Sequence, residues 1–519
     1  MRAHDATVRL WTRLSSDGSL TKKASLNSVA QALNSGSKAV VGFVVNPILV
    51  RYLGDVTFGQ WQVLYRLIGQ TNPAGGRPSE ALKWFVANRQ TSDDLHAKRE
   101  AVGSSLVVWL IFLPFLVAIG GTVAWFAPVW LDVPPPDQSE VRLAGAVLVL
   151  GIVLIGLANI PWAALTGQNL GYKRMGLTTG IEFVGGGLMI AGAVFGAGLT
   201  SLAAATVTTI VLSGMLYLWL ARRYIPWFGI ARPDIAATRR FLGLSWWFLL
   251  WNVVTRVTMG GDVIVLGIAG SASDAASYSL TRFIPLTITA SVTSLIFGMA
   301  PGLGGVIGAG ELQRARRVRS ETMALAWVLA TVAGAGVLLL EQSFLGLWVG
   351  ARFFPGQLAN LLIVVMVFQL TLIRVDSNII DLTLNIRTKV LLGLVAAALS
   401  IGFGWALASR GLGIVGVAAG FIAGRIVQSV AYPIMIGRLL DVPTAAQLMA
   451  ALRGGLVTAA LFAIAAAMGR VIAVDSWIVL VLVSVLAGAV FAPVAVVGGL
   501  SKTQRSWLWD RARRVVKLR

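Results

Sequence analysis

Residues 46–69 read NPILVRYLGDVTFGQWQVLYRLIG, a stretch apolar enough for a membrane that nevertheless carries Arg66 in its second apolar run. An arginine side chain stays charged in a protein, and a charge in hydrocarbon costs at least a few kcal/mol. About ten residues of helix place Arg66 roughly 15 Å deep. An arginine at that depth indicates either a functional site or a specific ion pair.

The composition of the whole chain indicates an integral membrane protein. Its 519 residues are 56% hydrophobic and 13% charged, whereas a soluble chain is about a quarter charged. The absence of cysteine excludes a thiolate metal site and a cysteine nucleophile, and His4 and His96, both in polar segments, argue against a histidine site. No nucleotide-binding loop or catalytic constellation is visible, so we expect a protein that is not an enzyme and has no cofactor or metal.

The hydropathy of the chain predicts an all-α fold with fourteen transmembrane helices. A spanning helix needs about 20 mostly apolar residues. Gly and Pro within such runs are tolerated, because neighbouring helices satisfy the freed backbone groups. The predicted spans 1 to 14 lie near 27–51, 56–74, 102–127, 142–165, 174–197, 200–220, 241–268, 273–300, 321–340, 357–381, 389–408, 412–437, 452–469 and 476–499.

The basic residues predict the orientation of these spans. With both termini in the cytoplasm, and with residues at the edge of a span counted in the adjoining segment, 32 of the 43 Lys and Arg residues fall in inside segments, five in outside segments and six well within spans. This asymmetry is typical of the positive-inside rule. We therefore interpret the net charge of +21 as a topology signal, with anionic membrane lipids as neighbours. The basic residues do not gather into one patch, which argues against nucleic-acid binding.

A weak internal repeat predicts two similar halves. Gly54 precedes Arg66 by the same distance as Gly270 precedes Arg282, a shift that equals six spans. An even number of spans gives both halves the same orientation, so they form a parallel repeat about an axis along the membrane normal. The predicted units are a cytoplasmic segment 1–26, a first lobe 27–220, a linker 221–240, a second lobe 241–437, a terminal helix pair 438–499 and a basic tail 500–519.

Six basic residues remain inside the predicted spans, and four of them suggest a cavity. Two cations per half lie at one depth beside the axis, and an unpaired buried cation is costly. Water and an anionic ligand would relieve that cost, which favours capture of a strongly anionic head group. The four are Lys38, Arg66, Arg256 and Arg282, with Arg374 and Arg425 as further candidates.

Each arginine also has a simpler interpretation, in which it pairs with an acid or reaches the interface. Arg374 and Asp381 are seven residues apart on one helix face, which favours a structural pair, while the partner of Arg425 is left open. Asp262 is a candidate to bind a proton or a cation, or to pair with Arg256, although their six-residue separation makes that awkward. Glu182 is a candidate either for coupling or for bonding a neighbouring helix.

Several stretches resemble the Wzx-type polysaccharide flippases of the multidrug/oligosaccharidyl-lipid/polysaccharide (MOP) exporter superfamily. They are residues 46–69, ALTGQNLGYKRM at 164–175 and YSLTRFIPLTITASVTSLIFGMAPGLG at 278–304. The resemblance implies two six-helix lobes arranged as a V, with spans 1, 2, 7 and 8 lining a cationic cavity. It also implies movement of a polyprenyl-pyrophosphate-linked oligosaccharide from the inner to the outer leaflet. Lys38, Arg66, Arg256 and Arg282 would be the cavity cations.

The resulting hypothesis is an alternating-access flippase in a bacterial cytoplasmic (inner) membrane, with polysaccharide assembly proteins as further partners. Three alternatives stay open. A peptidoglycan lipid II flippase would have a similar terminal helix pair. A drug or organic-cation antiporter of the same superfamily would need acids facing the cavity, and span 1 has Lys38 instead. In a non-transporting scaffold, each charged side chain within the membrane would form an ion pair with a side chain of opposite charge.

Overall fold

The computed structural model describes residues 20–89, 93–168, 170–297, 312–382 and 386–506. Within these ranges the chain forms fifteen α-helices and no β-strand, which confirms the all-α class. The helices are α1 Leu20–Gln70, α2 Pro78–Asn88, α3 Leu95–Trp130, α4 Gln138–Gly167, α5 Tyr172–Val194, α6 Gly198–Tyr224, α7 Ile235–Ala269, α8 Ala272–Thr281, α9 Phe283–Phe297, α10 Leu312–Trp348, α11 Gln357–Leu382, α12 Ile386–Leu407, α13 Gly413–Leu439, α14 Thr444–Met468 and α15 Trp477–Val494.

Eleven helical stretches in the described residues are long and apolar enough to cross a membrane. Two of them combine predicted spans: Gly36–Gly75 contains span 2 and most of span 1, and Arg387–Leu439 contains spans 11 and 12. Predicted span 8 corresponds to the short helices α8 and α9, which are separated by a turn at Arg282. The chain is thus a multi-pass membrane protein, while the exact number of fourteen crossings stays a prediction.

Glycine interrupts the helix between the first two predicted spans. Gly54 has φ 78° and ψ 171°, a conformation outside the helical region that divides α1 into a first arm, 20–53, and a second arm, 55–70. Glycine adopts positive φ without the steric cost that a Cβ would add. Its counterpart in the predicted repeat, Gly270, has φ −116° and ψ −122° and separates α7 from α8. Both predicted glycines therefore lie where helices end.

The helices of each predicted lobe pack mainly on one another. In the first half, α4 packs on α3, α6 and α2, and α5 packs on α1 and α6. In the second half, α13 packs on α12 and α11, and α12 also packs on α7. The terminal helices α14 and α15 both pack on α10. The division into two lobes and a terminal pair stays a prediction.

The two halves meet closely where the second arm of α1 crosses α7 and α8. A Cβ added to Gly59 would lie 1.8 Å from the carbonyl oxygen of Ala272, and one added to Gly267 would lie 2.3 Å from a methyl group of Val63. Such close approach requires glycine. We call this region, with the turns at Gly54 and Gly270, the Gly54 end of the bundle; the predicted orientation places it outside.

Aromatic side chains make a second contact between the halves near the Gly54 end. Phe43 of α1 stacks on Trp348 of α10 with ring centroids 5.6 Å apart, and Trp348 Nε1 donates a hydrogen bond to the Phe43 carbonyl at 2.7 Å. Phe283 of α9 also stacks on Trp348, at 5.0 Å. Phe344 and Trp477 complete the group, which we call the aromatic cluster. It joins α1 to α9, α10 and α15.

Several helices extend beyond the predicted boundaries. α1 begins at Leu20, inside the predicted cytoplasmic segment 1–26, and α7 begins at Ile235, inside the predicted linker. α10 continues past the predicted end of span 9 at residue 340 as far as Trp348. Hydropathy marks only the part of a helix that suits hydrocarbon, whereas polar residues of high helix propensity prolong it. Residues 1–19 and 507–519, with most of both predicted tails, lie outside the described residues.

Candidate functional site

An ion pair between α7 and the turn after α8 lies at the centre of the candidate site. Arg282 Nη1 lies 2.5 Å from Asp262 Oδ1, and the exposed fractions of the two side chains are 1% and 0%. Tyr278 donates its hydroxyl to Asp262 Oδ2 at 2.8 Å. The second guanidinium nitrogen, Arg282 Nη2, donates to the Met259 carbonyl at 3.0 Å. The partner of Asp262 is therefore Arg282; the suggested pairing of Asp262 with Arg256 is wrong.

Arg425 of α13 lies beside this pair. Its Nη2 donates to the Thr258 carbonyl at 2.6 Å, its Nη1 lies 3.4 Å from the Met366 carbonyl, and its side chain is buried. The Met366 sulfur also lies 3.7 Å from the Tyr278 hydroxyl, so Arg425 and Tyr278 both contact Met366 of α11. Arg425 is close enough to Asp262 to interact with its charge.

Arg66 approaches the same group from the second arm of α1. Its Nη1 lies 3.6 Å from the position that a Cβ on Gly260 would occupy, and its charge interacts with those of Arg282 and Asp262. The side chain is partly exposed. Among the described residues, Arg66 has no ion pair, and its buried Nε has no hydrogen-bond partner. We call Arg66, Asp262, Tyr278, Arg282 and Arg425 the Asp262 cluster.

The charges of the Asp262 cluster do not balance. Three arginines share one carboxylate, so the formal charge of the group is +2. Cations confined in a low-dielectric interior repel one another unless a counter-charge is present. The cluster therefore carries a net positive charge, contributed by residues of both halves of the chain.

Arg256 of α7 lies one to two helical turns before Asp262 and joins the two halves. Its Nη1 donates to the Gly69 carbonyl at 2.6 Å and its Nε to Asn252 Oδ1 at 3.0 Å. In return, Gln70 Nε2 donates to the Arg256 carbonyl at 3.0 Å. A cation at the carboxyl end of a helix satisfies free carbonyls and interacts favourably with the helix dipole. These contacts give Arg256 a structural role in holding α1 against α7. Its place in a cavity stays a prediction.

The described contacts of Lys38 include no residue of the Asp262 cluster. Its Nζ is 3.2 Å from Glu182 Oε1, with exposed side-chain fractions of 57% and 31%. This pair links the first arm of α1 to α5, as the helix-bonding alternative for Glu182 expected. The expectation that Lys38 shares a cavity with Arg66 and Arg282 is not tested by these contacts and stays a prediction.

Arg374 faces the cluster from α11. Its Nη1 lies 3.7 Å from the Met259 sulfur, and Met259 is the residue whose carbonyl accepts from Arg282. The predicted pairing of Arg374 with Asp381 falls on a side chain outside the described ones. The neighbouring acid Asp376 pairs with Arg319 at 3.2 Å and is thereby neutralised.

A family model described as a polysaccharide biosynthesis protein matches residues 107–301 of the chain. The matched stretch contains α7 and α8 and thus Asp262, Tyr278 and Arg282. Comparison with curated protein sequences gives no match.

Comparison with solved structures gives matches over most of the chain. An inward-facing MATE family multidrug transporter of the MOP superfamily has a TM-score of 0.65 at 15% identity, covering 80% of this chain and 99% of the other. The lipid II flippase MurJ, inward closed, has a TM-score of 0.64 at 11% identity, covering 89% and 98%. A MOP transporter from Pyrococcus furiosus has a TM-score of 0.55 at 14% identity, covering 81% and 96%.

The chain has the MOP transporter fold. The predicted resemblance is confirmed at the level of the fold, and membership of the superfamily and of the Wzx type stays a proposal. The Asp262 cluster of this MOP-fold chain lies between the second arm of α1 and helices of the second half, so movement between the halves would change its access to solvent.

Sequence reasoning missed two residues of interest. Tyr278 stands one helical turn before Arg282 in YSLTR, a spacing that places both side chains on one helix face and could have suggested a shared partner. Glu341 lies just beyond the predicted end of span 9 at residue 340 and was not considered. The structure buries it within α10.

Breaking the buried pair of this MOP-fold chain should destabilise it severely. Because Asp262→Asn leaves Arg282 buried without its counter-charge, we expect it to lower the free energy of unfolding by about 3–5 kcal/mol. The double variant Asp262→Asn/Arg282→Gln should lose less than the sum of the two single variants. Thermal unfolding in detergent measures this, and Glu182→Gln, at a more exposed pair, should cost about 1 kcal/mol or less. Equal effects of Asp262→Asn and Glu182→Gln would contradict the geometry.

Proposed function

We propose that this MOP-fold chain is a flippase that moves a polyprenyl-pyrophosphate-linked oligosaccharide from the cytoplasmic to the outer leaflet. The observation that carries the proposal is Arg66. It is an arginine of intermediate exposure whose Nε is buried without a hydrogen-bond partner and which has no ion pair among the described residues, beside a cluster whose formal charge is +2. The polysaccharide biosynthesis model that matches residues 107–301 supports this substrate class.

The chemistry of the cluster suits a pyrophosphate group. A guanidinium presents a planar set of donors that matches phosphate oxygens, and charge-assisted hydrogen bonds of this type are roughly twice as strong as neutral ones. In this proposal Arg66 contacts the phosphate directly. Arg282, Arg425 and Arg374 contribute positive potential, while their described contacts hold them in place. The sugars occupy the aqueous space between the halves, and the prenyl chain stays in lipid.

Transport in this proposal follows alternating access. The contact of Gly59 with Ala272 and the aromatic cluster close the Gly54 end, so the head group enters from the opposite end. Arg256 and Lys38 are more exposed than Arg282 and are the proposed cations along the path. Separation of the halves at the Gly54 end then releases the head group on the outer side. The predicted inner-membrane location and cytoplasmic termini belong to this proposal.

Two alternatives receive less support from the geometry. An antiporter for organic cations needs an acid free to bind the cation in its binding site, but the one acid of the Asp262 cluster is already bound to Arg282 and Tyr278. A non-transporting scaffold would have its charges paired, which fits Arg282 but not Arg66. A lipid II flippase shares the pyrophosphate chemistry and is the alternative that needs an experiment. Assembly proteins and anionic lipids stay predicted partners.

Reconstituted protein provides that experiment. We expect liposomes containing the purified chain to expose a fluorescent polyprenyl-pyrophosphate-linked sugar to an external quencher faster than empty liposomes do. An unlabelled polyprenyl-pyrophosphate oligosaccharide should compete, and a cationic dye should not. Stronger competition by lipid II would favour the alternative flippase. Transport of the dye without movement of the lipid-linked sugar would contradict the proposal.

A further inference from the structure

Glu341 is a buried acid of α10 that the proposed flippase does not use. Its side chain is 2% exposed, and its Oε1 has no hydrogen-bond partner among the described residues. No ion pair joins it to any described side chain. The charged form of such a group is strongly disfavoured, because an isolated carboxylate in an apolar interior costs several kcal/mol. The arrangement favours the protonated, neutral acid.

Glu341 lies between an apolar cleft and the contact that joins the two halves. Helical spacing places it on one face of α10 with Val337, one turn before it, and with Phe344 and Trp348, one and two turns after it. Val337 lines a cleft between α9, α10 and α11. Phe344 and Trp348 pack on Phe43 of α1 in the aromatic cluster. Movement of α1 away from α10 would therefore expose the face that carries Glu341.

The helices around α10 provide no counter-charge in their described parts. α9 and α15 carry no charged residue. Arg453 of α14 donates to carbonyls of 497 and 498, at the end remote from Gly54. Arg374 and Asp376 of α11 also lie toward that end. On α1, Lys38 pairs with Glu182. The remaining titratable groups near the Gly54 end are Tyr278 and Arg282, which bind Asp262, and the exposed or partly exposed Arg51, Tyr52, Asp55, Asp274, Arg352, Arg470 and Asp475.

We propose that Glu341 is a proton-binding site linked to opening of the Gly54 end. The site holds one proton while the aromatic cluster is closed. When the halves separate there, water reaches the carboxyl group, the O–H bond breaks, and the proton passes to that water. Closure requires the proton to return, because the bare carboxylate is too costly to bury. This inference rests on the proposed function only for the direction of movement, since the proton equilibrium exists without substrate.

The linkage has a definite sign. Opening releases a proton, so rising pH favours the open form and falling pH favours the closed form. For one released proton, the ratio of open to closed molecules rises about tenfold per pH unit. Glutamine at 341 mimics the neutral acid and cannot release a proton, so Glu341→Gln should remain closed at every pH. Glu341→Asp should keep the response.

Spin labels at the Gly54 end test the proposal without substrate. The chain has no cysteine, so Arg51→Cys on α1 and Arg352→Cys beside α10, both exposed, introduce two unique labelling sites. We expect the fraction of long distances between the labels to rise from about pH 5 to about pH 9 in the parent and in Glu182→Gln, the control at an acid that already has a partner. The same fraction should stay low in Glu341→Gln, with size-exclusion chromatography reporting its fold.

Three results would overturn the inference. They are a parent whose distances do not change with pH, a Glu341→Gln variant that changes as the parent does, and loss of the response in Glu182→Gln as well. Because the labels report the chain alone, these results are independent of the lipid-linked sugar assay. A failed flipping assay with a proton response that depends on Glu341 would refute the proposed substrate and leave the proton site.

Discussion

A disulfide between cysteines at positions 63 and 267 is expected to stop flipping completely, and a reducing agent should restore it. A Cβ built on Gly267 lies 3.1 Å from the Val63 Cβ, a few tenths of an ångström below the usual 3.5–4.5 Å of a disulfide. The bond would join the second arm of α1 to α7 and so hold the two halves together at the Gly54 end. If the halves must separate there for release, the oxidised protein cannot complete a cycle.

The control for this experiment is a disulfide within one half. A Cβ built on Gly145 lies 2.9 Å from the Ala124 Cβ, so Ala124→Cys/Gly145→Cys joins α3 to α4 at a comparable distance. We expect this oxidised variant to flip at the parental rate. Flipping is measured in liposomes before and after reduction, and the extent of cross-linking by mass spectrometry. Normal flipping by a fully oxidised Val63→Cys/Gly267→Cys variant would rule out separation of the halves at this crossing.

Arg66→Gln is expected to lower the flipping rate by roughly 10- to 100-fold without destabilising the chain. A hydrogen bond to a charged group contributes about 1.5–3 kcal/mol, which corresponds to this range. Because Arg66 has no ion pair among the described residues, its replacement leaves no carboxylate without a partner. The replacement also removes the charge repulsion between Arg66 and Arg282. This outcome differs from that of Asp262→Asn, where the loss of activity would follow the loss of the fold.

The measurement combines the initial flipping rate with thermal unfolding of the same preparation. Arg352→Gln is the matched control, since this arginine is exposed in a turn at the Gly54 end and lies over the Phe353 ring. It should flip at the parental rate. Arg66→Lys keeps the charge but loses the planar donor set, so an intermediate rate is expected. A parental rate in Arg66→Gln would show that the cluster does not bind the phosphate.

The helices were predictable because their main signal is local. Apolar runs of about 20 residues identify the segments that hydrocarbon favours, and helices cover each predicted run within the described residues. Gly54 and Gly270 were recognised through their shared spacing to Arg66 and Arg282. Local hydropathy did not identify the true end of α10, so the burial of Glu341 was not anticipated.

The members of the Asp262 cluster were partly predictable, but their partners were not. Arg66, Asp262, Arg282 and Arg425 stood out because charge inside a span is costly. Sequence spacing can test only pairs within one helix, and it left Asp262 with the awkward partner Arg256. Arg282 reaches Asp262 because α7 and the turn after α8 are brought together, a contact across 20 residues.

The sequence by itself therefore determined which segments form long apolar helices, where the first of them is interrupted and that several arginines lie within them. Each of these depends on the transfer energy or backbone freedom of single residues and short segments. The tertiary structure alone decided which charges are neutralised, because ion pairing depends on distances of a few ångströms between helices. It pairs Arg282 with Asp262, leaves Arg66 without an ion pair among the described residues, and buries Glu341 beside the aromatic cluster.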